Sequence, residues 1–418
     1  MMQLGKIAKS SLLRTSGVYT VSSLLNASIP FLLLPILTKY LSNSEYGILT
    51  MFSAVSIFLA PFVGINMEGA IARQFYNDRN NISTYIGTCV IVSTVSAVIC
   101  SLLCILLRDI IFKYTSIDTG WMLLCVFYCF TQFIILIFLT INQVKVKPLN
   151  YGLTQISQSV FNFVISFLLI VFLHYKWEGR LIAQITSSLS IAFVAIIILF
   201  VRREIIFSFN YNFFKHAIKF GSGLIPHALG FAMIILTNRV FLLQLENIKA
   251  VGLYAVAVQV GSIISFFTVS FNSAYIPWLY NNLKKENLDV KSKIVRLTYL
   301  YFLVLTISGI IFYFLLPFIF NLFINHNFYS ALKLCVYIIP GFVFQGMYFM
   351  VTNYITYAEK TYYQAFVTLF VGVITIPANY FLIMRFGSVG ASLAYSLSFF
   401  LLFVFSWFVS SKIYRMPW

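Results

Sequence analysis

Twelve apolar stretches, most near the length that crosses a bilayer, divide this chain, and its basic residues alternate between the gaps that separate them. A hydrocarbon core about 30 Å thick needs about 20 apolar residues per helix. The stretches fall at 15–38, 47–67, 84–107, 121–141, 151–173, 180–201, 217–243, 251–279, 294–322, 332–357, 363–384 and 389–410. Each is continuously apolar rather than alternating, which excludes an outer-membrane barrel and predicts an all-α integral membrane protein. Only 9% of residues are charged and 61% are hydrophobic, so a soluble core of this size would lack a polar surface.

The charges orient the spans. When span-end residues are counted with the adjoining loop, the even gaps and both termini hold 19 of the 28 basic residues and the odd gaps 8. Arg239 alone lies within a stretch, and the 11 acids divide five and five with Glu68 left at a span end. One side therefore carries net +14 and the other +3. Such a bias places the basic loops in the cytoplasm. The sequence pI near 9.6 is then topology and not a nucleic-acid footprint. No h-region with a small-residue cleavage site opens the chain, so no cleavable signal is expected. Lys6, Lys9 and Arg14 at one end and Lys412 and Arg415 at the other predict two cytoplasmic termini. Trp177, Tyr211, Trp278, Tyr414 and Trp418 fall near the expected interfaces, as aromatic belts do.

No loop is long enough for a soluble catalytic domain, and no G-x-x-x-x-G-K-[ST] loop is present for ATP hydrolysis. The cysteine pairs Cys100/Cys104 and Cys125/Cys129 have helical i, i+4 spacing but no histidine beside them, so they read as small packing residues rather than a metal site. The two halves resemble each other. Asn142 corresponds to Asn353 and the Asn150–Gly179 interval to Thr361–Gly390, at an offset of 211. Tyr46-Gly47-Ile48-Leu49 corresponds to Val251-Gly252-Leu253-Tyr254 at an offset of 205. Six spans per copy make a parallel repeat, with an axis along the membrane normal. The expected lobes are residues 1–207 and 208–418, with Arg202–His216 as the linker between them.

Few polar groups lie at depth. Arg239 is the foremost; an arginine at mid-membrane costs roughly 2.5–3.5 kcal/mol on insertion scales. It reads either as a cation facing a central cavity or as an anchor snorkelling from the outer end of its span. Asn238 precedes it. Glu68 and Arg73 close the second stretch, five apart and so on different helix faces. Arg73 reads as a cytoplasmic-interface residue, whereas Glu68 needs a partner or a proton. Phe220-Gly221-Ser222-Gly223-Leu224-Ile225-Pro226-His227 opens the seventh stretch, and Pro226 predicts a bent, partly unwound gate. His227 is then a ligand candidate or a packed residue bonded to a neighbour. Pro30 and Pro35 predict a bend in the first stretch after Asn26. Gln259 and Asn272 are among the amides that either line a path or glue helices together.

The stretch Lys39-Tyr40-Leu41-Ser42-Asn43-Ser44-Glu45-Tyr46-Gly47-Ile48-Leu49 resembles the first outer loop of the Wzx-type polysaccharide flippases, in the MATE-like MOP exporter superfamily. Gly64-Ile65-Asn66 to Arg73, Pro226 to Arg239, Val251-Gly252-Leu253-Tyr254 and Gly387-Ser388-Val389-Gly390-Ala391 carry the same resemblance. It implies about 12 transmembrane helices in two six-helix lobes forming a V around a cavity. It also implies an inner-membrane flippase and not an enzyme. The cargo would be an undecaprenyl-pyrophosphate-linked oligosaccharide, such as an O-antigen repeat unit, moved from cytoplasmic to periplasmic leaflet by alternating access. Arg239, Asn26, Gln259 and Asn272 would line the path, while Arg14 and Arg73 would receive the pyrophosphate. Few charges lie at depth, unlike the cationic cavities common in that family, so a near-neutral repeat unit is expected. No cofactor is expected, with a proton or sodium gradient as the guess for an energy source. The expected partners are the lipid-linked oligosaccharide, the bilayer, a polysaccharide polymerase and a chain-length regulator, and no nucleic acid. The alternatives are a drug or metabolite exporter, for which only Glu68 offers an acidic site, and a multi-span glycan polymerase or ligase. The outer gap at 108–120 is too short for the latter's catalytic loop.

Overall fold

The computed structural model describes residues 28–285 and 287–418, and those residues form helices and short connections with no strand. Arg14 and Asn26 lie outside the described residues. The helices are α1 (Ser28–Tyr40), α2 (Asn43–Val63), α3 (Met67–Asn77), α4 (Ile82–Leu106), α5 (Arg108–Thr115), α6 (Thr119–Val144), α7 (Pro148–Phe167) and α8 (Lys176–Val201). There follow α9 (Tyr211–Ser222), α10 (Ile225–Leu245), α11 (Ile248–Gly261), α12 (Ile263–Leu283), α13 (Leu288–Phe323), α14 (Ala331–Tyr357) and α15 (Thr361–Ile413).

Among the described residues, nine helices are long and apolar enough to cross a membrane, and α11 with α12, bent by 41°, make a tenth span. α15, with 53 residues, is too long for one crossing, and its helical path breaks at Gly387 (φ 59°). That break falls between the stretches expected at 363–384 and 389–410, so both are present, joined without a loop. Left-handed backbone at Gly387 suits a residue without a Cβ.

Helix starts follow the sequence. Ser42 and Glu45 form a reciprocal capping box on α2: the Ser42 N–H donates to Glu45 Oε2 at 2.8 Å, and the Glu45 N–H donates to Ser42 Oγ at 3.3 Å. Asn210, Asn247 and Asn287 accept backbone N–H groups at the starts of α9, α11 and α13. Pro148 stands in the first turn of α7, where its missing N–H costs nothing.

The described residues gather into two compact units. The first takes residues 28–36 and 55–225, the second 37–54 and 226–418. In the first, α3, α4, α6, α8 and α9 enclose a core that includes Tyr85, Cys89, Phe133, Ile137 and Ile141. The segment after α8 is stitched to the start of α4. Ser83 Oγ donates to the Arg203 carbonyl at 2.9 Å, the Ile206 N–H donates to the Ser83 carbonyl at 3.0 Å, and Thr88 Oγ1 donates to the Ser208 carbonyl at 3.1 Å. A Cβ on Gly87 would fall 1.8 Å from the Ile206 carbonyl oxygen, so only glycine permits that approach. Tyr85 Oη meets His216 Nδ1 at 2.8 Å. The Arg202–His216 stretch, expected as the linker between the lobes, is bonded into the first unit. The later step between units falls at Ile225–Pro226.

In the second unit, α14 packs along α15, α11, α12 and α13. The chain end closes one side of it, with the Trp418 ring against Trp407 (5.4 Å) and Tyr354 (5.7 Å). α2 and α11 cross in this unit at the repeat-related glycines. A Cβ on Gly47 would lie 2.2 Å from the Ile248 carbonyl oxygen; one on Gly252 would lie 1.9 Å from that of Asn43. Ile248 follows Asn43 by the same 205 positions that separate the two glycines. The contact is thus self-complementary, as near a twofold axis, where i meets j and j meets i.

Candidate functional site around Arg239

Arg239 sits in α10 within the second unit. Its Nη1 donates to the Ile235 carbonyl one turn back at 2.8 Å. Its Nε is sealed from solvent and has no hydrogen-bond partner among the described residues. Its guanidinium carbon stands 5.9 Å from the centre of the Tyr254 ring, a cation–π distance. Tyr395 and Tyr46 lie within electrostatic reach. All three tyrosines are at most 5% exposed. The cation thus stands by the Tyr254 ring of α11, with buried tyrosines of α2 and α15 in its neighbourhood.

No carboxylate answers it. Glu246, the acid nearest in sequence, instead accepts from Ser388 Oγ at 2.7 Å beside the Gly387 break. Among the described residues Arg239 makes no ion pair. Its neighbour Asn238 is fully buried; its amide donates to the Ile234 carbonyl at 2.8 Å and its Oδ1 is left without a partner. An arginine with unspent donors beside an aromatic ring retains its capacity for an anion, and phosphate is the anion its planar fork fits best.

The other expected residues are distributed differently. His227 is half-buried in the first turn of α10, and its Nδ1 meets Thr368 Oγ1 at 2.9 Å. Pro226 lies in that same turn. The break precedes it, at Gly223–Leu224, so the proline starts a helix there instead of bending one. Pro30 and Pro35 lie in α1, which is continuous across both. Gln259 is half-buried in α11, and its side-chain amide has no hydrogen-bond partner among the described residues. Asn272 in α12 accepts from Asn353 Nδ2 at 2.8 Å, an interhelical amide pair.

Glu68 and Arg73 belong to the first unit, on α3. Glu68 is half-buried in the first turn. Arg73 is exposed and stands 5.6 Å above the Phe220 ring. The two make no ion pair with each other. The structure therefore gathers none of the expected residues into one cluster beyond the sequence neighbours Asn238 and Arg239. The sequence reading missed the tyrosines, although Tyr46 and Tyr254 stand in the two motifs that reveal the repeat.

The polysaccharide biosynthesis protein family matches residues 12–283. An uncharacterized membrane protein of Haemophilus influenzae is 25% identical over 291 residues, 67% of this chain and 68% of the relative. Among solved structures, an inward-facing multidrug resistance MATE family transporter of the MOP superfamily superposes with a TM-score of 0.76 at 13% identity, covering 94% of each chain. A Vibrio cholerae MATE transporter gives 0.66 at 12% identity, over 99% of this chain and 98% of that one. Likeness at such low identity speaks for the fold alone. The family match, the apolar helices and this superposition together identify a multi-pass membrane protein with a MATE-like transporter fold, and the chain belongs to the polysaccharide biosynthesis protein family.

Proposed function

We propose that this chain is a bacterial inner-membrane flippase that moves an undecaprenyl-pyrophosphate-linked oligosaccharide from the cytoplasmic to the periplasmic leaflet. The observation that carries the reading is Arg239, a cation with free donors, near buried tyrosines and without a carboxylate. Aromatic faces suit sugar rings, and the guanidinium suits a phosphate. Family membership in polysaccharide biosynthesis favours this cargo over a cationic drug, which would need an acidic site. In this reading the two lobes rock in alternating access, with both termini in the cytoplasm. Arg14 and Arg73 receive the diphosphate, and Asn26, Gln259 and Asn272 line the path beside Arg239. The cycle uses no bound cofactor. A proton or sodium gradient, or consumption of the cargo at the far leaflet by a polymerase and its chain-length regulator, supplies direction.

Deletion of the gene, followed by chemical analysis of surface glycan, tests this. Loss of the glycan with lipid-linked repeat units held in the inner leaflet is the expected result. Intact glycan in a strain without a substitute flippase would overturn the proposal. Water-accessible labelling of cysteines placed at Asn26, Gln259 and Asn272 tests the path separately; sealing of all three in every state would remove it.

A further inference from the structure

Three of the gaps that charge assigns to the cytoplasm meet in one pocket of the first unit. The α3–α4 turn contributes Arg79, the α6–α7 turn Lys145, and the segment after α8 Arg202, Arg203 and Glu204. The pocket has a volume of about 230 Å³, room for a phosphate-sized group and several waters. Ile71, Ile82, Ile86 and Ile141 also line it.

Lys145 Nζ lies 2.7 Å from the Glu204 carboxylate, so these two charges cancel locally. Arg79, Arg202 and Arg203 are exposed, and no carboxylate lies within ion-pair distance of them among the described residues. The rim is therefore left with three free positive charges. Two of its segments are fixed. Arg79 stands 5.3 Å over the Phe75 ring. Arg203 has left-handed backbone (φ 54°), and its carbonyl accepts from Ser83 Oγ. The bland reading is that positive-inside loops are basic anyway. That rule does not require three loops, distant in sequence, to converge on one concave site that isoleucines also line.

We infer that this pocket binds the phosphate-bearing headgroup of a membrane lipid at the cytoplasmic rim. Basic pockets between transmembrane helices on that side take such headgroups, with the acyl or prenyl chain left in the bilayer. The same chemistry has two sources, an anionic phospholipid or the diphosphate of a polyprenyl carrier. The inference rests on the proposed orientation and not on the cargo being a glycan.

The test is the melting temperature of the purified full chain in neutral-detergent micelles, titrated with phosphatidylglycerol or with phosphatidylcholine. Binding to the folded state raises it by mass action, and phosphatidylglycerol is expected to raise it by about 3 °C more than the neutral lipid. The excess should vanish in R79Q/R202Q/R203Q and survive in K284Q/K285Q/K291Q, which removes basic residues of the second unit. It should also fall with salt in the unaltered protein, because exposed charges are screened. No lipid preference, a preference that persists in 1 M salt, or equal loss in both triple variants would each overturn the inference. Should the triple arginine variant not fold, R202Q alone is read against K284Q alone: the excess should fall in the first and stay unchanged in the second, and equal excess in the two would overturn the inference. Farnesyl pyrophosphate then identifies the source: displacement of phosphatidylglycerol assigns the carrier diphosphate, and its failure to displace assigns the phospholipid. Glycan export plays no part in this readout, so the binding inference and the flippase proposal fail independently.

Discussion

Arg180 and Arg239 are both arginines in apolar helices, one in each unit, and their surroundings are opposites. Arg180, in α8, donates through Nη1 to Asn162 Oδ1 and to Ser166 Oγ, both on the preceding helix. Those side chains cement α7 to α8. Arg239 spends one donor on its own helix, leaves Nε without a partner and has its guanidinium by the Tyr254 ring. A polar group costs less in lipid once its donors are matched, and the usual yield is structural, about 0.6 kcal/mol per interhelical bond. A cation left unmatched is costly, and such residues mark substrate paths. Position in the membrane is therefore a poor guide to role; the acceptors around the charge decide it.

The contrast is sharpest if Arg239→Ala lowers transport while the protein still accumulates. A hydrogen bond to a charged group is worth about 1.5–3 kcal/mol, which corresponds to roughly a ten- to hundred-fold loss in glycan export per molecule. Full export at normal protein level would reduce Arg239 to an anchor and dissolve the distinction. Gly252→Val probes α11 in the same neighbourhood. With the Asn43 carbonyl 1.9 Å from the site of a Cβ, α2 must move off α11, and overpacking of this kind costs about 1–3 kcal/mol. A fall in melting temperature is expected, together with reduced export. An unchanged melting curve would show that the crossing is not held as described.

Arg180→Ala should do the reverse of Arg239→Ala. About 1 kcal/mol of stability goes with its bonds to Asn162 and Ser166, read as a lower melting temperature, while export per folded molecule stays normal. A larger effect on export than on melting would move Arg180 into the transport path. His227→Gln is the mildest. Its amide can replace the imidazole toward Thr368, so both export and melting should stay near wild type; a strong loss of export would make the histidine a ligand.

Most of the spans and their approximate lengths were legible because hydrophobic run length acts along the chain. The capping box at Ser42 and Glu45 is a local pattern that the sequence reading passed over. The breaks were less legible than the spans. The α9–α10 break falls at Gly223–Leu224 instead of at Pro226, because a proline in a helix's first turn replaces an N–H that had no partner. The partners of Arg239 were not legible, since Tyr46, Tyr254 and Tyr395 come from three distant parts of the sequence and look like other tyrosines in a chain that has 26. Nor was the convergence of Arg79, Lys145 and Arg203, although each was counted in the charge bias.

The crossing of Gly47 and Gly252 makes two distant codons answer for one spot. A side chain acquired in either copy strikes the other copy's backbone, and no second change at the partner glycine can create space, because a residue that already lacks a Cβ has nothing left to trim. Divergence between the halves is therefore constrained at this pair from both ends at once.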